Sequence, residues 1–138
     1  MARMTYTPAE TVDRTGFTIE TLRYYERIGL LADIDRDAGG RRVYSDDDLG
    51  WLEVLKCLRD TGMPIATMRR YAELTLNDGS VQERLDTLED HDRAVSEQIE
   101  LLHRQQQHLR DKIEYYRGLI DIERSVEARS EAGVGATR

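Results

Sequence analysis

The sequence predicts a mainly α-helical protein, in which a winged helix-turn-helix head with a small β-hairpin wing is followed by a long dimerising coiled-coil helix. Two short helix signals separated by a tight turn predict the head. A polar, glycine-containing stretch after them predicts the wing. Apolar residues at alternating steps of four and three predict the coiled coil. We assign residues 1–76 to the head, 77–123 to the coiled coil and 124–138 to a flexible tail.

The composition favours an elongated helical protein over a compact enzyme. Of the 138 residues, 34% are charged and 39% are hydrophobic, so much of the chain must face water. No apolar run approaches the roughly 20 residues that a membrane helix requires, and the N-terminus lacks the pattern of a signal peptide. We therefore predict a cytoplasmic protein without a membrane partner. No phosphate loop or catalytic triad pattern is present, so we predict no enzyme.

Cysteine and histidine usage argues against a disulfide scaffold and a metal site. Cys57 is the single cysteine, and it cannot close an internal disulfide or ligate a soft metal by itself. The histidines His91, His103 and His108 are not spaced i, i+4, so we predict neither a metal nor another cofactor.

The net charge of −7 argues against non-specific coating of nucleic acid, although the acidity is concentrated in residues 77–138.

The first helix begins with a capping-box pattern. Thr7 is the predicted N-cap, Pro8 takes the first helical position, and Glu10 closes the box. The helix runs to about Thr15, where Gly16 can adopt the positive φ that often ends a helix.

The second helix is predicted to follow after a tight turn. Thr18 can cap it, and it extends to about Ile28, before Gly29. Two short helices about one tight turn are typical of a helix-turn-helix motif.

The polar stretch Asp35–Gly40, flanked by Ile34 and Val43, suits a hairpin and is the candidate wing. A third helix begins at the N-cap Ser45. Three aspartates follow in its first turn, where the helix dipole favours negative charge. Thr61–Pro64 ends it, and a fourth helix is predicted over Ile65–Leu76.

The strongest periodic signal follows a second capping-box pattern at Ser80 and Glu83. A stripe this long needs a partner surface, and the head is too small to cover it, so we predict a homodimer. The polar seam residues Asp92 and Gln106 are expected to fix register. Gly118 can interrupt the long helix, so the sequence does not fix the residue at which this helix ends. The predicted dimerisation residues are Val81, Leu85, Leu88, Val95, Ile99, Leu102, Leu109 and Ile113, and the same seam continues to Tyr116 and Ile120.

The second helix of a helix-turn-helix normally enters the major groove of DNA. Here it carries an arginine and two tyrosines, which can contact phosphates or base edges. An arginine pair on the hairpin can contact the DNA backbone. The alternative is that both tyrosines are core and the arginine is a solvated surface charge. The candidate DNA contacts are Thr18, Arg23, Tyr24, Tyr25, Arg41 and Arg42.

These motifs, taken together, resemble the mercury-resistance-regulator (MerR) family over about residues 5–76. The usual aromatic before the wing arginine is here Arg41, and Pro64 stands where a Ser or Thr cap is common. Neither departure threatens the fold. The matching segments are TLRYYERIGLL at 21–31, GRRVYS at 40–45, Asp48-Leu49 and Thr61-Gly62-Met63.

The resemblance implies a dimer with an antiparallel coiled coil that binds a pseudo-palindromic operator between two promoter elements. In that family the activated dimer bends and untwists the spacer until RNA polymerase can contact both elements. By position, Arg23, Tyr24 and Tyr25 match the recognition-helix contacts, and Arg41 and Arg42 match the wing contacts.

Cys57 is the candidate sensor, because its helix resembles that of a thiol- and aldehyde-responsive branch with one cysteine there. Lys56 and Arg59 are positioned to favour its thiolate. The alternative for Cys57 is a small buried hydrophobe.

A rival to the cysteine sensor is a site for a reversible hydrophobic ligand at the junction of head and coiled coil, lined by Trp51, Tyr71 and Tyr116. A second rival is a coiled-coil adaptor that does not bind DNA, which leaves the arginines and tyrosines of the head unexplained.

Overall fold

The computed structural model describes residues 4–136. It divides into two compact units, with the boundary inside the last helix, between Val95 and Ser96. The first unit holds every element except the C-terminal part of that helix. The elements are β1 (Thr5–Tyr6), α1 (Pro8–Thr15), α2 (Ile19–Arg27), β2 (Tyr44–Ser45), α3 (Asp46–Asp60), α4 (Ile65–Leu76) and α5 (Val81–Ala136).

The predicted caps of the first helices are confirmed. The Glu10 amide donates to Thr7 Oγ1 at 3.1 Å, and the Thr7 amide donates to Glu10 Oε1 at 3.2 Å. Gly16 ends α1 with a φ of 78°, and its amide donates to Val12 O at 2.8 Å. A side chain at that φ would be strained, so glycine sets where the chain turns into α2.

The sheet joins the N-terminus of the head to the start of α3. β1 pairs antiparallel with β2, with Thr5 opposite Ser45 and Tyr6 opposite Tyr44. β1 was not predicted from the sequence, because two residues carry no periodic signal. The predicted wing hairpin is present but narrow. Its single bridge joins Arg36 to Arg42.

The core lies between α1, α2, α3 and α4. Trp51 fixes the segment after α2, because its Nε1–H donates to Leu30 O at 2.7 Å. Tyr71 of α4 stacks on the indole with ring centroids 5.8 Å apart. The buried apolar residues are Tyr6, Phe17, Leu22, Tyr25, Leu30, Leu31, Ile34, Tyr44, Leu52, Leu55, Leu58, Met63, Met68 and Ala72.

The long helix corrects two expectations. Its first turns belong to the compact unit of the head, and Leu88 packs against the head core, so that unit extends well past residue 76. The helix also continues through Gly118 to Ala136, where we expected a flexible tail from Arg124. Residues 124–132 are rich in Arg, Glu and Ala, which are strong helix formers, and this propensity explains the difference. No helix within residues 4–136 is both long and apolar enough to cross a membrane.

Candidate nucleic-acid interface

One face of α2 is buried and the opposite face is open to solvent. Leu22 and Tyr25, three residues apart, point into the core. Arg23 and Tyr24 lie on the exposed side. The helix therefore presents an arginine and a tyrosine together on a face that no other part of the described chain covers.

Thr18 sets the start of this helix. Its Oγ1 accepts the Thr21 amide at 3.1 Å and lies 2.9 Å from Thr21 Oγ1. Thr18 is exposed, so the same hydroxyl is also accessible from outside. As the N-cap, Thr18 lies where backbone amides of α2 face outward, which is a favourable place for a phosphate.

Tyr24 and Tyr25 have different roles. The Tyr24 side chain is 43% exposed, and the Arg27 guanidinium lies 5.9 Å from its ring centroid. Tyr25 is only 4% exposed and packs edge-on against Phe17 at 5.5 Å. The Tyr25 ring therefore fills the core beneath α2, where the sequence analysis predicted a DNA contact, and of the two tyrosines only Tyr24 presents its ring to solvent. Tyr24 remains a candidate contact.

The wing has a short, internally bonded tip. Asp37 Oδ1 accepts the amides of Gly39 and Arg41, both at 2.9 Å. Arg36 Nη1 donates to Gly40 O at 2.9 Å. These bonds hold the loop closed and leave the Arg41 side chain exposed at its end.

Arg42 connects the wing to α2. Its Nε donates to Glu26 Oε2 at 3.0 Å, and the two side chains are 25% and 23% exposed. Arg42 therefore keeps only part of its charge available to a partner. Glu26 was not among the candidate residues predicted from the sequence. Its position directly after the tyrosine pair marked Glu26 as part of the same helix segment. Its partner Arg42 lies 16 residues away in the sequence, so the pairing could not be predicted from local spacing.

A second polar contact fixes the base of the wing. The Tyr6 hydroxyl of β1 donates to Oδ1 of Asp46, the first residue of α3, at 2.7 Å. This hydrogen bond raises the pKa of Tyr6 above its ordinary value of 10.0, and burial raises it further. The Arg14 guanidinium lies over the Tyr6 ring, 4.6 Å from its centroid. Burial likewise raises the pKa of the neighbouring Tyr44.

Cys57 is exposed, which excludes the alternative that it is a buried core residue. The two cations expected to favour its thiolate have other partners. Lys56 Nζ donates to Thr15 O at 3.0 Å. Arg59 pairs with Asp60 at 3.0 Å, and its guanidinium lies 4.7 Å from the Phe17 centroid.

The predicted dimerisation seam is mostly uncovered within one chain. Leu88 and Val95, in the first unit, are partly buried. An apolar stripe of this length on a water-exposed helix is typical of a surface that pairs with another chain. The exposed members are Val81, Leu85, Ile99, Leu102, Leu109 and Ile113.

Comparison with known proteins decides the family. The model of the MerR helix-turn-helix family of regulatory proteins matches residues 6–75. An uncharacterised helix-turn-helix transcriptional regulator of Haemophilus influenzae is 40% identical over 114 residues, covering 82% of this chain and 84% of its own. The chain belongs to the MerR family. The regulator AdhR of Bacillus subtilis is 39% identical over 83 residues, which is 59% of each chain.

Solved structures of MerR-family proteins share the fold. HiNmlR, a MerR family regulator lacking the sensor domain and bound to promoter DNA, matches with a TM-score of 0.75 and 39% identity, over 83% of this chain and 91% of its own. A putative MerR-family regulator of Listeria monocytogenes matches with a TM-score of 0.81 and 26% identity, over 88% and 94%. This MerR-family chain is a DNA-binding transcriptional regulator.

Proposed function

We propose that this regulator binds promoter DNA as a homodimer, with α2 in the major groove and the wing against the DNA backbone. The observation that carries the proposal is the exposed Arg23 and Tyr24 face of α2, joined to the wing by the Arg42–Glu26 ion pair. A recognition helix and a wing that are fixed to each other can bind the duplex as one surface.

Each exposed group fits a different part of the duplex. Arg23 can donate two hydrogen bonds to a guanine edge or to a phosphate. The Tyr24 hydroxyl and the Thr18 hydroxyl suit phosphate oxygens. Arg41 extends from the tip of the wing, where a cation gains affinity by neutralising phosphate charge. Arg42 both positions the wing and adds part of its charge.

Pairing of α5 with a second copy places two heads on one operator. Two-fold symmetry of the protein then matches the pseudo-palindrome that the family resemblance implies. A dimer that contacts DNA mainly through phosphates can bend or untwist the segment between its half-sites. We propose that this distortion aligns the promoter for RNA polymerase.

A binding measurement with matched variants tests the DNA interface. Fluorescence anisotropy with a duplex from the upstream region of the gene should show salt-sensitive binding by the wild type. Arg23→Ala should weaken it at least about tenfold, which is roughly 1.4 kcal/mol, and should lower the salt slope by about one. Arg104→Ala removes the same charge from α5 and should leave binding unchanged. Equal binding by all three proteins would contradict the proposed interface.

We further propose that Cys57 is the sensor. An exposed thiol on the helix that follows the wing can add its sulfur to the carbonyl carbon of an aldehyde, while the π bond of the carbonyl opens and its oxygen takes up a proton in place of the one that the thiol loses. The rival hydrophobic-ligand site is less favoured, because Trp51 and Tyr71 already stack on each other and the indole is bonded to Leu30 O.

In-vitro transcription distinguishes the two sensors. Wild-type protein should change transcription on addition of a small aldehyde or a thiol oxidant, and Cys57→Ala protein should bind the same DNA without responding. An unchanged response in Cys57→Ala would remove the cysteine from the mechanism and direct attention to reversible ligands.

A further inference from the structure

The turn between α1 and α2 is held by a side chain of α3. Lys56 Nζ donates to Thr15 O at 3.0 Å, across 41 positions of the sequence. Thr15 is the last residue of α1, where the helix itself supplies no donor to the carbonyl. Gly16 ends the helix with a φ of 78°, and the Lys56 ammonium lies 3.3 Å from the point that a Cβ of Gly16 would occupy. The ammonium therefore lies against the turn itself.

A lysine suits this place for physical reasons. A cation is favoured at the carboxyl end of a helix, where the dipole places partial negative charge. A hydrogen bond from an ammonium to a carbonyl is also stronger than one between neutral groups. Lys56 is half-buried, so solvent screens its contact less than it screens the exposed ion pairs of α5. The contact can therefore fix the position of the turn.

Arg59 contacts the other end of the same turn. It lies three residues after Lys56, so both side chains leave the same face of α3. Its guanidinium is 4.7 Å from the Phe17 ring centroid. Phe17 is 1% exposed and packs edge-on against Tyr25 of α2, with ring centroids 5.5 Å apart. Contacts from α3 therefore reach the core beneath the exposed face of α2.

The turn leads directly into the helix that carries the candidate DNA contacts. Thr18, the N-cap of α2, follows Phe17 in the chain. The exposed Arg23 and Tyr24 lie on the helix that begins there. A shift of the turn would therefore move both side chains relative to the rest of the head.

We propose that Lys56 is a positioning residue for DNA binding, which holds α2 in place through Thr15 O without itself contacting DNA. This inference rests on the DNA interface of the proposed function and adds to it a residue outside that interface. A binding surface loses affinity when its side chains are held less precisely. Loss of the Lys56 ammonium should therefore weaken specific binding without removing a phosphate contact.

Fluorescence anisotropy over a range of salt concentrations tests this role. Binding of wild type, Lys56→Met and Lys56→Arg is measured with the upstream duplex of the gene and with a scrambled duplex of the same length and base composition. Arg104→Met removes the same charge from the second compact unit and is the control. Circular dichroism and urea unfolding establish that each variant is folded under the binding conditions. If Lys56→Met does not fold, Lys56→Gln takes its place, since glutamine keeps a polar end at this half-buried position.

The two duplexes should respond differently to the loss of Lys56. Lys56→Met should bind the upstream duplex at least about tenfold more weakly and the scrambled duplex less than about twofold more weakly. Its salt slope on the upstream duplex should equal that of the wild type, because no phosphate contact is lost. Lys56→Arg can still donate to Thr15 O and should bind within about threefold of the wild type. Arg104→Met should bind like the wild type.

The outcomes separate this inference from the proposed function. A salt slope lower by about one in Lys56→Met, with equal weakening on both duplexes, would make Lys56 a direct phosphate contact and overturn the positioning role. Unchanged affinity of Lys56→Met for the upstream duplex, or failure of Lys56→Arg to restore it, would also overturn that role, while the proposed DNA interface would still stand. Wild-type binding that does not distinguish the two duplexes would contradict the proposed function, and this inference with it.

Discussion

Arg42 Nε lies 3.0 Å from Glu26 Oε2, so a residue of the wing and a residue of α2 are held in one ion pair. Because both side chains are about three-quarters buried, this contact is better shielded than the exposed pairs of α5. The pair links the wing to α2, the two parts of the proposed DNA-binding surface. Loss of the pair should therefore weaken DNA binding, although the removal of one negative charge by itself would strengthen it.

Glu26→Ala should lower the free energy of unfolding by about 1 kcal/mol, because it removes a charge-assisted hydrogen bond that is still partly screened by solvent. It should also weaken specific DNA binding, although the variant carries one negative charge fewer. Urea unfolding and anisotropy measure the two effects. Glu53→Ala, an exposed residue on α3, is the control. Tighter specific binding by Glu26→Ala would show that charge outweighs positioning.

Substitution of Tyr25 should mainly lower stability, whereas substitution of the adjacent Tyr24 should mainly weaken DNA binding. Tyr25→Ala should destabilise the head by about 3–5 kcal/mol, since it empties an aromatic site in the core. Tyr24→Ala should change stability by less than about 0.5 kcal/mol, as for an ordinary surface site, and should weaken DNA binding. Thermal unfolding and anisotropy on both variants check this. Comparable destabilisation by the two substitutions would contradict the assignment of Tyr25 to the core.

Tyr6 should give the head a characteristic alkaline pH dependence. Its folded pKa is raised because its hydroxyl donates to Asp46, so the unfolded chain loses this proton first as the pH rises. The stability from the neutral hydroxyl is present below about pH 10 and is lost as the pH approaches the raised folded pKa.

Tyr6→Phe should remove that contribution. The variant should be less stable than the wild type near neutral pH, and the difference in melting temperature should shrink above about pH 10. Tyr44 is intact in both proteins, so its own raised pKa affects both curves equally. A constant difference from neutral to alkaline pH would argue against the Tyr6–Asp46 bond as the cause.

The seam should account for dimerisation. Ile99→Asp places a charge at a seam position and should weaken the dimer by at least about tenfold in dissociation constant. Leu101→Asp introduces the same charge two residues away, outside the seam, and should have much less effect. Sedimentation equilibrium measures both. Equal effects of the two substitutions would place the dimer interface elsewhere.

Local signals in the sequence predicted most of the helical architecture. The caps at Thr7, Thr18 and Ser45 act within three residues, so their sequence patterns suffice to locate helix starts. The strand pairing of Tyr6 with Tyr44 could not be predicted in this way. It joins two-residue segments 38 positions apart, and only tertiary structure brings them together.

The exposure of the candidate contacts was predicted in part. The motif pattern placed Arg23 and Tyr24 on α2, where both are exposed, but it treated Tyr25 as equivalent to them, because sequence position alone does not show which side of α2 faces the core. The Arg42–Glu26 pair was missed for the same reason, since it depends on how the wing folds back on α2. The end of α5 was misplaced because a polar composition was taken as a sign of disorder, although Arg, Glu and Ala also favour helix.

Hydroxyl-radical footprinting of the gene's own upstream region tests the central claim most directly. A homodimer that binds through α2 and the wing should protect two symmetric segments whose centres lie about one helical turn of DNA, or a whole multiple of it, apart. Arg23→Ala should lose both protections together at the same protein concentration. A single asymmetric protected segment, or protection unchanged in Arg23→Ala, would contradict the account.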